Sequence, residues 1–185
     1  MTSDVLRIEK HVHACFNSNV ATVQSQFYWL AEHEYEEETM NTLEIVKKAL
    51  AEIEKGTIDA SMYSEDMIFS GPVPKPLKRD EYLTLLRNLV GASPDWNFHA
   101  RNFTVLGDTV KVTVSITGTQ TRTLPGLMPG MQALPPTNKR FILPEEHLSI
   151  KVCGDKICEL VADVVPDGGV IGILTQLGVN IKKAA

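Results

Sequence analysis

Apolar and polar residues alternate strictly along one stretch of the chain. Val110, Val112, Val114 and Ile116 are interleaved with Lys111, Thr113, Ser115 and Thr117. A period of two marks a strand with one buried face. Trp96, Phe98 and Ala100 alternate as well, and Phe103 and Val105 continue in the opposite parity. The phase change at Arg101-Asn102 predicts one extra residue in the strand, a β-bulge that bends the sheet. Gly107-Asp108 turns the chain into the Val110 strand. Phe141 to Val152 and Ile157 to Val165, joined at Gly154-Asp155, complete an antiparallel meander.

The first part of the chain has the helical period instead. Val5, Ile8 and Val12, then Val20, Val23, Phe27 and Leu30, are spaced for two short amphipathic helices in an appendage over 1–38. The domain proper spans 39–185. Its first helix has Met40, Leu43, Val46, Leu50 and Ile53 on one face and stops at Gly56. Ile58 to Tyr63 reads as a short helical turn, and Asp66 to Ser70 as a short strand. Gly71 to Pro76 is an extended Pro-rich loop. A helix from Asp80 turns Leu83, Leu86, Leu89 and Val90 inward, and Val170 to Val179 forms a last short helix ended by Gly178.

Helices followed by a strongly curved antiparallel sheet define an α+β architecture. Bending opens a gap between sheet and helices, a natural site for a small molecule. Phe69, Tyr82, Trp96 and Phe98 are candidates to line it. The segment Leu124 to Met131 is apolar yet broken by Pro and Gly, so it predicts a lid, with Leu127, Met128 and Met131 over the gap.

Composition narrows the function. The chain has 185 residues and a net charge of −5. Residues 1–40 carry two basic against seven acidic side chains and the remainder is balanced, so the excess sits in the N-terminal arm. That distribution excludes a basic nucleic-acid footprint and an attraction to anionic membranes. No apolar run reaches membrane-span length and no signal peptide is evident, which predicts a cytoplasmic protein. Three cysteines without framework spacing predict reduced thiols. In a regular hairpin Cys153 faces Lys156 and Cys158 faces Lys151, so their sulfurs are only diagonal neighbours. His11 and His13 two apart on a helix point to different faces, so no metal site is expected there. No nucleotide, nucleophile-elbow or zinc-protease motif occurs, and no cofactor is expected.

Several short segments follow one another in a telling order. They are Phe69-Ser70-Gly71-Pro72-Val73-Pro74, Ser93-Pro94-Asp95-Trp96-Asn97-Phe98, Thr117-Gly118-Thr119-Gln120, Leu134 to Arg140, and Gly172 to Gly178. Together they resemble the SnoaL-like polyketide (ester) cyclases of the NTF2-like superfamily, over roughly residues 39–180. The resemblance implies a cone-shaped α+β barrel, commonly dimeric through its open sheet face. It also implies ring closure by intramolecular aldol chemistry without metal or cofactor, dependent on an acid/base aspartate near the end of the last strand. Asp163 or Asp167 stands nearest that position, and Gln120 takes the place of a histidine that many relatives carry.

Proton abstraction beside a carbonyl requires a base tuned towards neutrality and a donor for the developing oxyanion. Glu145-Glu146-His147 is the densest cluster of such groups. If Leu148 and Ile150 point inward, Glu146 lines the cavity and His147 faces away; a bulge near Pro144 reverses this. Asp163 lies among Val161, Ala162, Val164 and Val165, facing either way, and Asp167 before Gly168-Gly169 fits a turn. The candidate catalytic set is therefore Asp163, Glu146, His147 and Gln120. Tyr82 offers a phenol to the pocket or sits at its rim. The leading function is a cofactor-independent cyclase or isomerase acting on an apolar carbonyl compound. A non-catalytic ligand-binding protein is the alternative, as is a dimeric interaction protein that docks through its acidic arm.

Overall fold

Helical periodicity and strand alternation place their apolar faces on one shared core in the computed structural model, which describes residues 41–180 apart from Pro129. These residues belong to a compact unit that begins at Asn41. The appendage over 1–38, with His11, His13 and Cys15, lies outside the described residues.

Helix α1 covers residues 41–54 and buries Val46, Ala49, Leu50 and Ile53. A 3-10 turn, Ala60–Met62, leads into β1, Tyr63–Ser70. Strand β2, Leu77–Lys78, precedes α2, Arg79–Ala92, which buries Tyr82, Leu83, Leu86, Leu89 and Val90. Then come β3, Arg101–Leu106, β4, Thr109–Val114, β5, Thr117–Thr119, and β6, Arg140–Ile142. Strands β7, Glu146–Cys153, and β8, Lys156–Ala162, are followed by α3, Gly169–Leu177. Gly178, at φ 92°, ends α3 in the left-handed conformation that favours glycine.

Six strands form one sheet in the order β2-β1-β8-β7-β4-β3, and β5 and β6 form a separate pair. The inferred bulge is present: pairing between β3 and β4 slips between Arg101 and Thr104, and Asn102 takes φ 55°. The inward rows are Val110, Val112 and Val114 on β4, Leu148, Ile150 and Val152 on β7, and Ile157, Leu160 and Ala162 on β8. These rows and the buried faces of the helices make one apolar core.

Three expectations change. Trp96 and Phe98 are buried on one side as their alternation predicts, but residues 96–100 form only the isolated bridge Asn97–Thr117 and the strand begins at Arg101. The sheet is mixed, because β1 pairs with β8 in parallel, with Phe69 opposite Leu160 and Ser70 opposite Val161. Strand alternation reports which face is buried and carries no information about strand direction. The two thiols of the β7–β8 hairpin are also not free. Cys153 and Cys158 are joined as a disulfide, with Cα atoms 5.7 Å apart. Val152 pairs with Ile157 while Lys151 pairs with Glu159, so Cys158 is the extra residue of a bulge. A regular register separates the sulfurs; the bulge brings them together.

Candidate functional site

Glu146 opens β7 on the same face as Leu148 and Ile150, opposite Val114 of β4. It is only 3% exposed. A cavity of about 90 Å³ lies here, between the inner face of the sheet and the helices. Its walls are apolar apart from the Glu146 carboxyl, the Trp96 indole and the Tyr82 phenol, with Leu86, Leu148 and Ala162 among the rest. No Lys, Arg or His is among the described residues that line it.

The carboxylate is held from one side. Its Oε1 accepts a hydrogen bond of 2.8 Å from the backbone N–H of Gly169, the first residue of α3. The positive end of the helix dipole favours a carboxylate there. This approach needs bare backbone. A Cβ on Gly168 would lie 2.4 Å from Glu146 Oε1, and one on Gly169 would lie 2.6 Å from the Pro72 ring. The chain reaches this geometry through a tight turn in which Gly168 N–H donates to Val165 O at 3.1 Å. Pro166 and Asp167, the latter at φ 61°, occupy its centre, the pattern of a type II turn. Asp167 is thus a turn residue, as its neighbours predict.

Burial pushes the Glu146 carboxyl above its ordinary value of 4.5. The Gly169 N–H opposes that rise and the negative charge of Asp163 adds to it. Among the described residues no cation offsets the desolvation, so the group is poised to exchange a proton nearer neutrality. Burial likewise raises the Tyr82 phenol well above its ordinary range, which keeps it a donor. Tyr82 stacks on Phe69 with ring centroids 4.8 Å apart. The buried Trp96 Nε1–H has no hydrogen-bond partner among the described residues. A buried donor left unpaired costs about 1–3 kcal/mol, so it is a natural anchor for a ligand oxygen.

A wider pocket of about 700 Å³ adjoins this cavity and shares Pro72, Val73, Leu85 and Val170 with it. One side carries the outward row of α2: Glu81, Thr84 and Asn88. The other carries Leu127 and Met128 from the long loop, with Val164 and Ile171. A volume of this size suits a drug-sized molecule.

Of the predicted pocket residues, Phe69, Tyr82, Trp96 and Phe98 line the inner cavity, and Leu127 and Met128 the outer pocket. Met131 lines neither and packs against the core. Three of the four catalytic candidates lie elsewhere. His147 and Asp163 are on the outer face of the sheet, paired through Nδ1 and Oδ2 at 3.2 Å, with side chains 64% and 57% exposed. Both alternate away from the inward Leu148 and Ala162.

Gln120 is fully buried, but its amide is spent on the loop. Nε2 donates to the carbonyls of Arg122, Leu134 and Pro135, and Oε1 accepts from Thr137 N and Oγ1. It pins the neck of the loop whose other end closes on a Leu124–Leu134 bridge. The loop is anchored at its base rather than hinged freely. The backbone donor Gly169 was not foreseen, nor were Thr84 and Asn88. The only trace of the first is Gly168-Gly169 beside a turn; the others look like an ordinary solvent-facing helix row.

No family model and no curated protein matches the sequence. Solved structures do. A proposed SnoaL-like polyketide cyclase from Jannaschia sp. CCS1 is 14% identical with a TM-score of 0.59, covering 78% of this chain and 96% of its own. AclR, a proposed hydroxylase from Streptomyces galilaeus, is 15% identical with a TM-score of 0.58, covering 76% and 97%. An NTF2-like protein from Anabaena variabilis ATCC 29413 is 16% identical with a TM-score of 0.51, covering 69% and 92%. The chain therefore has the NTF2-like fold that SnoaL-like polyketide cyclases share, and the fold hosts more than one proposed activity. Among the described residues no helix is long and apolar enough to cross a membrane, and no cluster of acidic, His or Cys side chains is arranged to hold a metal ion.

Proposed function

We propose that the protein is a cofactor-independent acid/base enzyme that moves a proton beside the carbonyl of a small apolar molecule, as in cyclase or isomerase chemistry. The observation that carries this reading is a single uncompensated carboxyl, Glu146, at the wall of an otherwise apolar cavity. Gly169 occupies Oε1, and among the described residues no other hydrogen bond reaches the carboxylate, so Oε2 is the oxygen left to take a proton. In the reaction Oε2 accepts a proton from the carbon beside the substrate carbonyl, and the electron pair moves onto the carbonyl oxygen as an enolate. The Trp96 Nε1–H and the Tyr82 hydroxyl are the donors for that oxygen. Return of the proton to a different carbon isomerises the substrate; attack of the enolate carbon on a second carbonyl closes a ring, and the proton held on Oε2 passes to the alkoxide that forms. The apolar walls keep competing water out.

The test is hydrogen exchange of a methyl ketone in D2O, followed by NMR. Exchange that depends on Glu146 supports the proposal. Saturable ketone binding with exchange no faster than in buffer overturns it and leaves a carrier that uses the same cavity.

The side chains on the outer face of the sheet also bear on assembly. We propose the homodimer through the open sheet face as a polar contact, since His147, Ser149, Lys151, Glu159 and Asp163 populate that face. Sedimentation of the full chain distinguishes dimer from monomer.

A further inference from the structure

The two adjoining pockets differ in size and in chemistry. About 90 Å³ of inner cavity holds roughly three water-sized groups, room for an acetyl end and little more. The body of any ligand that reaches Glu146 therefore stays in the outer pocket of about 700 Å³. There the ionisable groups among the described lining residues are Glu81 and Asp167, both acidic, and no basic side chain joins them.

The two carboxylates are not equivalent. Glu81 already accepts from the Lys78 backbone N–H at 3.0 Å and faces Lys75 Nζ at 3.4 Å, so its charge is partly answered. Among the described residues the Asp167 side chain has neither ion pair nor hydrogen bond, and the type II turn holds it at the pocket wall. It is also two residues from Gly169, whose backbone N–H holds Glu146.

We infer that the ligand is an elongated carbonyl compound that carries an amine on the part lodged in the outer pocket, with Asp167 as the partner of that amine. This rests on the proposed chemistry at Glu146 and adds the charge and shape of the molecule. A narrow carbonyl end enters the inner cavity. A flat body lies between the polar row of α2 and the apolar wall of Met128 and Ile171, and the ammonium group faces Asp167. A carboxylate at the same place would meet the like charge of Asp167, with no basic side chain among the described residues that line the pocket.

Three probes test this: 2-acetylnaphthalene carrying an aminomethyl, a methyl or a carboxylate group at its far ring position. Their affinities are measured by calorimetry on the full chain at low salt. The amine is expected to bind about fivefold tighter than the methyl compound, and the carboxylate weaker than both. Asp167→Asn tolerates the same left-handed backbone and is expected to bring the amine and methyl compounds within about twofold. Equal binding of amine and methyl compounds, tighter binding of the carboxylate, an unchanged ranking in Asp167→Asn, or no binding of any probe at millimolar concentration each overturn the inference. Deuterium exchange of the acetyl group reports Glu146 separately. Ranked binding without exchange removes the chemistry and keeps the amine site; exchange without ranking does the reverse.

Discussion

Gly169 N and Glu146 Oε1 lie 2.8 Å apart, which ties the first turn of the last helix to the one acidic side chain among the described residues that line the inner cavity. One contact thus fixes the orientation of the carboxylate and leaves its second oxygen free. Most of what can be measured at this site follows from that arrangement.

Replacing Glu146 by Gln removes the proton acceptor and keeps an oxygen for the Gly169 N–H. Exchange catalysis is expected to fall by about 10²–10⁴-fold with the fold retained, read by NMR exchange and circular dichroism.

Activity and stability should respond to pH in opposite directions at this residue. The base works when ionised, so the acid limb of the exchange rate lies above the ordinary 4.5. A carboxyl with a raised folded pKa binds more protons folded than unfolded between the two values. Its contribution to stability is therefore fullest in acid and is lost as pH rises through that window. Wild-type stability relative to Glu146→Gln should fall from acid to neutral pH in denaturant titrations. Asp59, Glu81, Asp95 and Asp108 have lowered values and trend the other way, so the comparison with Glu146→Gln isolates the buried group.

Gly168→Ala crowds a methyl group against Glu146 Oε1 and the Val165 side chain, at a φ of −92° that alanine accepts. The carboxylate must move, and a loss of about 1–3 kcal/mol in stability is expected with a larger loss of exchange. Full activity in this variant would show that the oxygen bound by Gly169 is not fixed for catalysis.

Gln120→Leu keeps the volume and removes the clamp on the loop neck. Thr137 N and Oγ1 lose their acceptor. About 2 kcal/mol of stability should go, and limited proteolysis should cut between 121 and 136 first.

The exposed pair on the outer face makes a contrasting case. Asp163→Asn should change stability by no more than about 0.5 kcal/mol. Its one effect on the site is to remove a negative charge that raises the Glu146 carboxyl, so the acid limb of the rate profile should move to lower pH.

Periodicity carried the fold well, because burial of one face leaves a direct trace in residue order. The phase change at Arg101-Asn102 located the bulge, and Gly178 located the end of α3. The inward turn of Glu146 follows from the alternation with Leu148 and Ile150. What residue order does not encode is partnership at a distance. Nothing in the sequence alone pairs β1 with β8 in parallel, or brings Gly169 to Glu146 across 23 positions. Gln120 shows the same limit: its amide has the chemistry to hold a ligand oxygen, and local carbonyls claim it first. A regular hairpin register gives no sign of the disulfide, which depends on Cys158 being a bulge residue.

The parallel pair has a consequence for how the protein is made. Strand β8 lies between β7 and β1 in the sheet, yet it is among the last segments to be synthesised. A nascent chain leaving the ribosome holds an unzipped sheet, with an open edge on either side of a missing middle strand, until nearly the whole domain has emerged. Folding should then be slow for the domain's size, and those waiting edges are where a growing chain is most exposed to aggregation.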